Sequence, residues 1–229
     1  MNEVVLVEAP PIDQTKLEQL VGTKVRNVEL YRRSFTHKSA LKKYRGLKGS
    51  YETLEFMGDS VLGFIITRYL FDKYEEHQEG FLTKARTKMV RGKTLCEISE
   101  RLGLHNWILM DDKGIRNGWN TNPNILEDVF EALIGAIYLD LGMVHAKKFV
   151  FAAFDQVEVS LSDDNYKDQL MRQCQSVHIA LPDYQVRGQY ADGTFHVEVF
   201  VNGVPSGSGF ASTKKQAEQN AAQVALKKI

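Results

Sequence analysis

The chain has 229 residues and a mass of 26.0 kDa, which exceeds one domain of ordinary size and allows two. Hydrophobic residues make up 43% and charged residues 25%, as in ordinary globular proteins, so collagen-like, disordered and coiled-coil classes are excluded. The 29 basic and 29 acidic residues cancel to a formal net charge of zero, so any affinity for nucleic acid would have to come from local patches.

The apolar stretches are too short to cross a membrane. The longest, residues 61–66, is interrupted by Gly63, whereas a spanning helix needs about 20 apolar residues. The N-terminal MNEVVLVEAPP has no basic region before its apolar run, so it does not resemble a secretory signal. Cys96 and Cys174 have no CxxC partner, which argues against a disulfide framework or a thiolate metal site. We expect an intracellular, cytoplasmic protein without a membrane partner.

Residues 13–154 carry a helical pattern, because apolar residues recur every three or four positions and Gly, Asn or Pro stand at the breaks.

The segment YETLEFMGDSVL, residues 51–62, adds acids to this pattern. Glu52, Glu55 and Asp59 stand at i, i+3 and i+7, so they form one acidic stripe on a helix that is otherwise apolar. Such carboxylates repel one another and lose hydration unless a cation or hydrogen bonds compensate.

Basic residues dominate the next predicted helix. Lys84, Lys88 and Arg91 share one helical face, and Arg86 lies nearby in the sequence. This face suits contact with a nucleic-acid backbone, and it equally suits simple exposure to solvent, which is the ordinary habit of charged helix faces. We therefore treat Lys84, Arg86 and Lys88 as candidate nucleic-acid contacts.

A second apolar helix, predicted over ILEDVFEALIGAIYL at residues 125–139, repeats the acidic pattern with Asp128 and Glu131 at i and i+3. Packing with acidic faces inward would bring these two acids to Glu55 and Asp59, and four like charges would need a counter-charge. Oxygen ligands without His or Cys favour a hard cation, Mg²⁺ or Mn²⁺. Such ions activate water and stabilise a leaving oxygen, so the pattern predicts phosphodiester hydrolysis. The alternative is a pair of solvated acidic helix faces.

The composition changes after the helical part. Residues 155–164, DQVEVSLSDD, are polar and acidic, which is typical of a linker. We place the boundary near Ser160, with a first domain at residues 1–157, a linker at 158–163 and a second domain at 164–229.

The second domain has the predicted order α-β-β-β-α. Its pattern indicates a helix at 166–175, strands at 184–190, 195–201 and 207–211, a hairpin turn at Asn202-Gly203, and an alanine-rich final helix with Ser212 as its N-cap.

These residues resemble the ribonuclease III family. The matches to its acidic signature are Glu52, Leu54, Glu55, Phe56, Gly58, Asp59 and Ser60. Residues 128–136 are similar to the family's D-x-x-E-A-L-I-G-A, and residues 34–39 (SFTHKS) to its T-H-[KR]-S segment. One departure precedes the signature, where Ser50-Tyr51 stands in place of the usual Asn.

The resemblance implies an all-α catalytic domain, a helical bundle that works as a homodimer and cuts both strands of double-stranded RNA. Its metal-binding catalytic carboxylates would be Glu55, Asp59, Asp128 and Glu131, with Mg²⁺ as cofactor and Mn²⁺ as a substitute. Glu131 would be the one most directly needed, and Glu52 would be a supporting acid. Products would carry 5′-phosphate and 3′-hydroxyl ends with short 3′ overhangs.

The small α+β domain at the C-terminus resembles a double-stranded RNA-binding domain, which reads A-form shape through 2′-hydroxyls and phosphates. Lys214 and Lys215, with Ala217, match that domain's K-K-x-A motif, and they would meet phosphates near the positive end of the last helix. Loop 191–194 is short and lacks the family's G-P-x-H residues. We therefore expect weaker and more salt-sensitive RNA contact by this domain.

The sequence thus predicts a Mg²⁺-dependent endoribonuclease specific for double-stranded RNA. A protein that binds and sequesters double-stranded RNA without cutting it is the alternative from another class, but such a protein would be expected to lack one or more of the four acids. A hydrolase of another phosphodiester, such as a nucleotide, is a third hypothesis.

Overall fold

The computed structural model describes residues 6–159, 161 and 165–228, and the chain divides into two compact units between residues 161 and 162. The expected order, an all-α part followed by a small α+β part, is confirmed. Ser160 and residues 162 and 163 of the expected linker lie outside the described residues, so the domain limits at 157 and 164 stay a prediction.

The first unit is built mainly from α-helices, with one short pair of parallel strands near its N-terminus. Its elements are β1 (Val7–Glu8), α1 (Gln14–Val21), α2 (Val28–Ser34), β2 (Tyr44–Arg45), α3 (Glu52–Lys73), α4 (Glu79–Val90), α5 (Gly92–Arg101), α6 (Asp112–Arg116), α7 (Pro123–Leu141) and α8 (Met143–Phe154). Within the described residues, none of these helices is long and apolar enough to span a membrane.

Helices α3 and α7 form the centre of this unit and cross in direct backbone contact. A Cβ added to Gly58 would overlap the carbonyl oxygen of Glu131, and one added to Gly135 would overlap that of Leu54. Glycine at both positions therefore lets the two helices approach more closely than side chains would permit. The surrounding residues of α7, from 129 to 137, are all buried.

Asp140, near the end of α7, ties that helix to the start of α2. Its carboxylate accepts hydrogen bonds from the backbone N–H groups of Arg26 and Asn27, both at 2.9 Å, and from the Tyr31 hydroxyl at 2.9 Å. Asn27 gives α2 no side-chain cap of its own, so Asp140 supplies acceptors for N–H groups just before that helix.

The second unit packs two helices on one face of an antiparallel sheet. Its elements are α9 (Tyr166–Ser176), β3 (Asp183–Gln189), β4 (Phe195–Val201), β5 (Val204–Ala211) and α10 (Lys214–Leu226), with the strands in the order β3-β4-β5. Gly207 and Gly209 let α10 lie directly on β5, because a Cβ at either position would overlap a backbone carbonyl of the helix. Among the described residues, no helix of this unit covers the other face of the sheet.

The start of β5 and the N-cap of α10 differ from the sequence-based expectation, and the end of α9 and both ends of β3 differ from it by one residue. Strand β5 begins at Val204 rather than Gly207, because the turn at Asn202 and Gly203, both with positive φ, brings Val204 directly into register with Val201. The N-cap of α10 is Thr213 rather than Ser212, since its Oγ1 accepts a hydrogen bond from the backbone N–H of Gln216 at 3.3 Å.

Candidate active site

Acidic side chains from α3 and α7 gather beside the crossing of these two helices. Glu55 and Asp59 lie one turn apart on α3, on either side of Gly58. Gly58 packs against the backbone carbonyl oxygen of Glu131 on α7, so Glu131 lies beside these two acids. The negative charges of Asp59, Glu55 and Asp128 all act on the carboxyl group of Glu131. The structure therefore brings together the four acids that the sequence singled out, and their catalytic role stays a prediction.

Glu131 is the most deeply placed member of this cluster. Its residue surface is only 9% exposed. Burial, together with repulsion from Asp59, Glu127 and the other acids, raises the pKa of Glu131 to about 8. A carboxyl group in this position strongly disfavours its own negative charge unless a positive charge comes close.

Glu55 and Asp128 are half-buried, while Asp59 is exposed. Burial raises the pKa of Glu55, and repulsion from Asp128 adds to the effect. Burial also raises the pKa of Asp128, but a hydrogen bond from Tyr51 and the charge of Lys38 oppose that rise. The opening of the cluster to solvent therefore lies toward Asp59.

Tyr51 is a member of the site that the sequence did not reveal. Only 4% of it is exposed, and its hydroxyl donates a hydrogen bond to Oδ2 of Asp128 at 3.2 Å. Its backbone N–H is anchored on the carbonyl of Thr36 at 2.9 Å. Burial raises the pKa of the Tyr51 hydroxyl far above its usual range, so this group remains a donor that orients the Asp128 carboxylate.

Glu52, the expected supporting acid, lies at the exposed start of α3. Its carboxylate accepts hydrogen bonds from Lys38 Nζ at 3.2 Å and from the Ser50 hydroxyl at 3.0 Å, and these two contacts lower its pKa. Lys38 belongs to the SFTHKS segment noted in the sequence. Glu52 is thus already neutralised by a basic neighbour, unlike the acids deeper in the cluster.

Glu127 is a further acid of the cluster that sequence reasoning missed. It is half-buried against the first turn of α5, where a Cβ on Gly92 would overlap its carboxylate. Burial and repulsion from Asp128 and Asp59 raise its pKa. Its position next to Asp128 in the sequence could have indicated it, but Glu127 does not fit the i, i+3 spacing on which the prediction was based.

The donor chemistry of this cluster fits a hard divalent cation. Its donors are carboxylate oxygens, which Mg²⁺ and Mn²⁺ prefer, and the repulsion at Glu131 is of the kind that a cation relieves. Among the described residues, Glu52 has an ion pair, whereas Glu55, Asp59, Glu127, Asp128 and Glu131 have none. In the same part of the chain, no group of three or more such side chains is already arranged as a metal cage.

The lysines predicted to contact RNA in the second unit lie at the start of α10. Lys214 and Lys215 are exposed, and Lys214 Nζ lies 5.6 Å from the centre of the Phe195 ring. The neighbouring loop is a tight turn, because the Tyr190 N–H donates to the Thr194 carbonyl at 2.8 Å and Gly193 adopts a positive φ of 87°.

The basic face predicted around α4 is smaller than expected. Lys84, Arg86 and Lys88 lie on α4, with Arg86 exposed and the two lysines partly buried. Arg91 does not extend their face, because its backbone is extended and it separates α4 from α5. The sequence-based prediction therefore extended this helix one residue too far, since α4 ends at Val90.

The chain matches known families over both units. The family described as Ribonuclease-III-like matches residues 27–156, and the Double-stranded RNA binding motif matches residues 166–229. Protein A464R of Paramecium bursaria Chlorella virus 1 is 42% identical over 215 residues, which are 92% of this chain and 77% of that protein. Ribonuclease 3 of Listeria monocytogenes serovar 1/2a is 36% identical over 222 residues, 93% of this chain and 96% of that protein.

A similar structure is the nuclease domain of ribonuclease III from Campylobacter jejuni. It superposes with a TM-score of 0.57 at 35% sequence identity, and the match covers 62% of this chain and 95% of that domain.

The electrostatic cost of the cluster predicts that Glu131→Gln is more stable than the wild type when divalent ions are absent. Replacing the buried carboxyl group by an amide removes repulsion and the cost of dehydrating a charge, so we expect a gain of about 1–3 kcal/mol in the free energy of unfolding. Denaturant unfolding of both proteins in EDTA at neutral pH measures this difference in the free energy of unfolding. Glu29→Gln, which removes an acid paired with Arg32 at 3.1 Å, should give no gain. A loss of stability in Glu131→Gln would contradict the electrostatic interpretation.

Proposed function

The chain belongs to the ribonuclease III family, and we infer that it is an endoribonuclease specific for double-stranded RNA that works with divalent metal ions. The observation that carries this proposal is the cluster of acids around the Gly58–Gly135 crossing, where Glu131 is buried among like charges. The match of the second unit to a double-stranded RNA binding motif supports duplex RNA as the substrate.

We propose that Glu55, Asp59, Asp128 and Glu131 hold the metal, Mg²⁺ or in its place Mn²⁺. Bound there, the ions would supply activated water and stabilise the oxygen that leaves the phosphodiester. The residues of the chain hold the arrangement: Tyr51 orients Asp128, and the glycine crossing sets the distance between the two helices. Glu52, with Lys38 beside it, is proposed as a supporting acid. The proposed products carry 5′-phosphate and 3′-hydroxyl ends with short 3′ overhangs.

Duplex RNA contacts are proposed at two places on the chain. Lys214 and Lys215 would pair with phosphates at the positive end of α10, and the sharp turn at 191–194 leaves little reach toward a groove. Lys84, Arg86 and Lys88 on α4 are proposed as backbone contacts of the nuclease unit. The cytoplasmic location stays a prediction from the sequence.

The role assigned to Glu131 predicts separate effects on binding and cutting. Glu131→Gln should lower cleavage of a labelled RNA duplex in Mg²⁺ by more than about 100-fold, because one ligand charge is lost where charge develops. Its affinity for the duplex in EDTA should stay unchanged. Glu29→Gln serves as the matched control and should cleave normally. Undiminished cleavage by Glu131→Gln would remove this residue from the site.

Two other functions are separated by the same assay. A protein that only sequesters double-stranded RNA would leave the duplex intact in both Mg²⁺ and EDTA. A hydrolase of small phosphodiesters would prefer nucleotides to the duplex. Mapping the ends of the products tests the proposed end chemistry and the overhangs together.

The hydrogen bond from Tyr51 predicts a selective effect on metal affinity. Tyr51→Phe keeps the buried ring but frees the Asp128 carboxylate, so the Mg²⁺ concentration needed to raise the melting temperature should increase about ten-fold. Saturating Mg²⁺ should restore cleavage.

Tyr31→Phe is the matched control for this experiment, because Tyr31 also donates from a buried hydroxyl to a carboxylate, that of Asp140, which lies outside the cluster. It should lose stability without changing the Mg²⁺ requirement. The same Mg²⁺ requirement in Tyr51→Phe and the wild type would leave Tyr51 with a packing role alone.

We also propose that the chain forms a homodimer through α3. Three large aromatic side chains on this helix, Phe56, Phe64 and Phe71, are 77%, 59% and 64% exposed. Their spacing of eight and seven residues places them along one face. A row of exposed rings of this kind usually marks an interface. The Campylobacter jejuni nuclease domain contains a region involved in dimer formation, which supports the proposal.

This interface predicts that Phe64→Asp produces a folded monomer. A carboxylate in the middle of the apolar row would be buried without a partner on association. Light scattering should report half the wild-type mass, and duplex cleavage should fall by about ten-fold or more. Val204→Asp replaces an apolar residue of the other unit that is also exposed, 61%, and should remain dimeric. A dimer at unchanged affinity in Phe64→Asp would place the interface elsewhere.

A further inference from the structure

Glu127 is the acid of the cluster to which the proposed function gives no role. It lies on α7 one turn before Glu131, and Asp128 follows it directly. On a helix, the residues at i and i+1 flank the residue at i+4 on its two sides. Glu131 therefore lies between Glu127 on one side and Asp128 on the other.

The Asp128 side of Glu131 already has partial compensation for its negative charge. Tyr51 donates a hydrogen bond to Asp128, and the positive charge of Lys38 acts on the same carboxylate. Glu55 belongs to this side, because Asp128 is the neighbouring charge that raises its pKa most. This side of the cluster therefore depends less on an added cation.

The Glu127 side has no such compensation. Repulsion from Asp59 helps to raise the pKa of Glu127. Asp59 and Glu127 are also the two charges that raise the pKa of Glu131 most. Among the described residues, neither Asp59 nor Glu127 has an ion pair. The strongest uncompensated repulsion in the cluster therefore lies among these three acids.

The burial of Glu131 indicates independently that a positive charge binds here. Its residue surface is only 9% exposed, and within the described part of the chain its carboxyl group has no ion pair. A buried acid costs free energy unless a cation or hydrogen-bond donors satisfy it. Such a group is suited to a place where a cation binds.

The start of α5 leaves room for Glu127 and for an approaching ion. A Cβ on Gly92 would overlap the carboxylate of Glu127, so glycine lets this acid lie against the first turn of the helix. Glu127 also lines a cleft of about 510 Å³ between α5 and the start of α7, together with Glu97, Glu100 and Lys93. Three carboxylates and one lysine make this cleft attractive to cations.

We propose that Glu127, Asp59 and Glu131 hold one divalent cation of their own, so that the chain binds two such ions in the absence of RNA. This inference rests on the proposed function, in which Asp59 and Glu131 already hold the metal, and it adds Glu127 as a fifth ligand. Two divalent charges nearly balance the five carboxylates of the cluster, whereas one leaves a large excess of negative charge.

Binding of this ion requires side-chain rotation. Over the residues that the structure describes, the acids do not yet form a finished metal cage. Asp59 is exposed, and Glu127 has an unbranched side chain that is only half-buried. Both side chains can therefore turn toward the ion while the backbone of the two helices stays in place.

The experiment counts the ions that bind to the full chain without RNA. Mn²⁺ is the probe, because electron paramagnetic resonance detects the free ion and its signal falls on binding. We expect two ions per chain in the wild type. In Glu127→Gln, one ion should bind about ten-fold or more weakly, because a charged ligand is lost, and the other should bind as before.

Glu100→Gln is the matched control, because it removes the same charge from the same cleft. Glu100 interacts with the thiol of Cys96, 3.9 Å from its Oε1, and is not among the charges that raise the pKa of Glu131. This variant should still bind two ions with wild-type affinity. Circular dichroism confirms that both variants fold.

One bound ion per chain in the wild type, or two ions of unchanged affinity in Glu127→Gln, would overturn the inference while leaving the proposed nuclease in place. An equal loss in Glu100→Gln would assign the effect to the general charge of the cleft and would also overturn it. Failure of the wild type to bind any Mn²⁺, together with an uncut RNA duplex in Mg²⁺, would instead overturn the proposed function, and this inference with it.

Discussion

The backbone contact between α3 and α7 is the constraint on which the candidate site depends. Gly58 and Gly135 each meet a carbonyl oxygen of the opposite helix, so there is no room for even a methyl group at the crossing. Acids one turn along each helix are consequently held in one place by the main chain, which is more rigid than side-chain packing. The metal binding proposed for these acids would gain from that rigidity, because it requires ligands positioned within fractions of an ångström.

The clustered acids lower the stability of the folded chain. Glu131 is buried beside like charges, an environment that costs free energy until positive charge is supplied. The compensation inside the chain is partial: Lys38 pairs with Glu52 and its charge also acts on Asp128, and Tyr51 donates to Asp128. The deeper acids form no ion pair among the described residues. Clusters of side chains that destabilise the free protein are commonly found at functional sites.

Much of this architecture is readable in the sequence, because it depends on period and spacing. The two acidic helices follow from carboxylates at i, i+3 and i+7 among apolar residues, and the change from period 3.6 to period 2 marks the second unit. The features of the site that the sequence did not predict depend on contacts between distant segments of the chain. Glu127 joins the cluster through its place against Gly92 of α5, and Tyr51 through a hydroxyl that reaches across to α7.

Smaller errors came from boundaries rather than from element types. Arg91 fits the helical period of α4 in the sequence, but its extended backbone opens the next helix instead. Ser212 and Thr213 are both good N-caps, and only the course of β5 decides between them. In each case the local signal was compatible with two neighbouring residues, and the packing of the whole unit selected one.

The contacts of Asp140 have a consequence for how the first unit loosens. One carboxylate near the end of α7 receives the backbone of residues 26 and 27 and the hydroxyl of Tyr31, so α7 cannot fray at that end without releasing the segment that leads into α2. Amide protons at these two distant places in the chain should therefore exchange with solvent as one cooperative group, which couples the edge of the domain to the helix that carries Asp128 and Glu131.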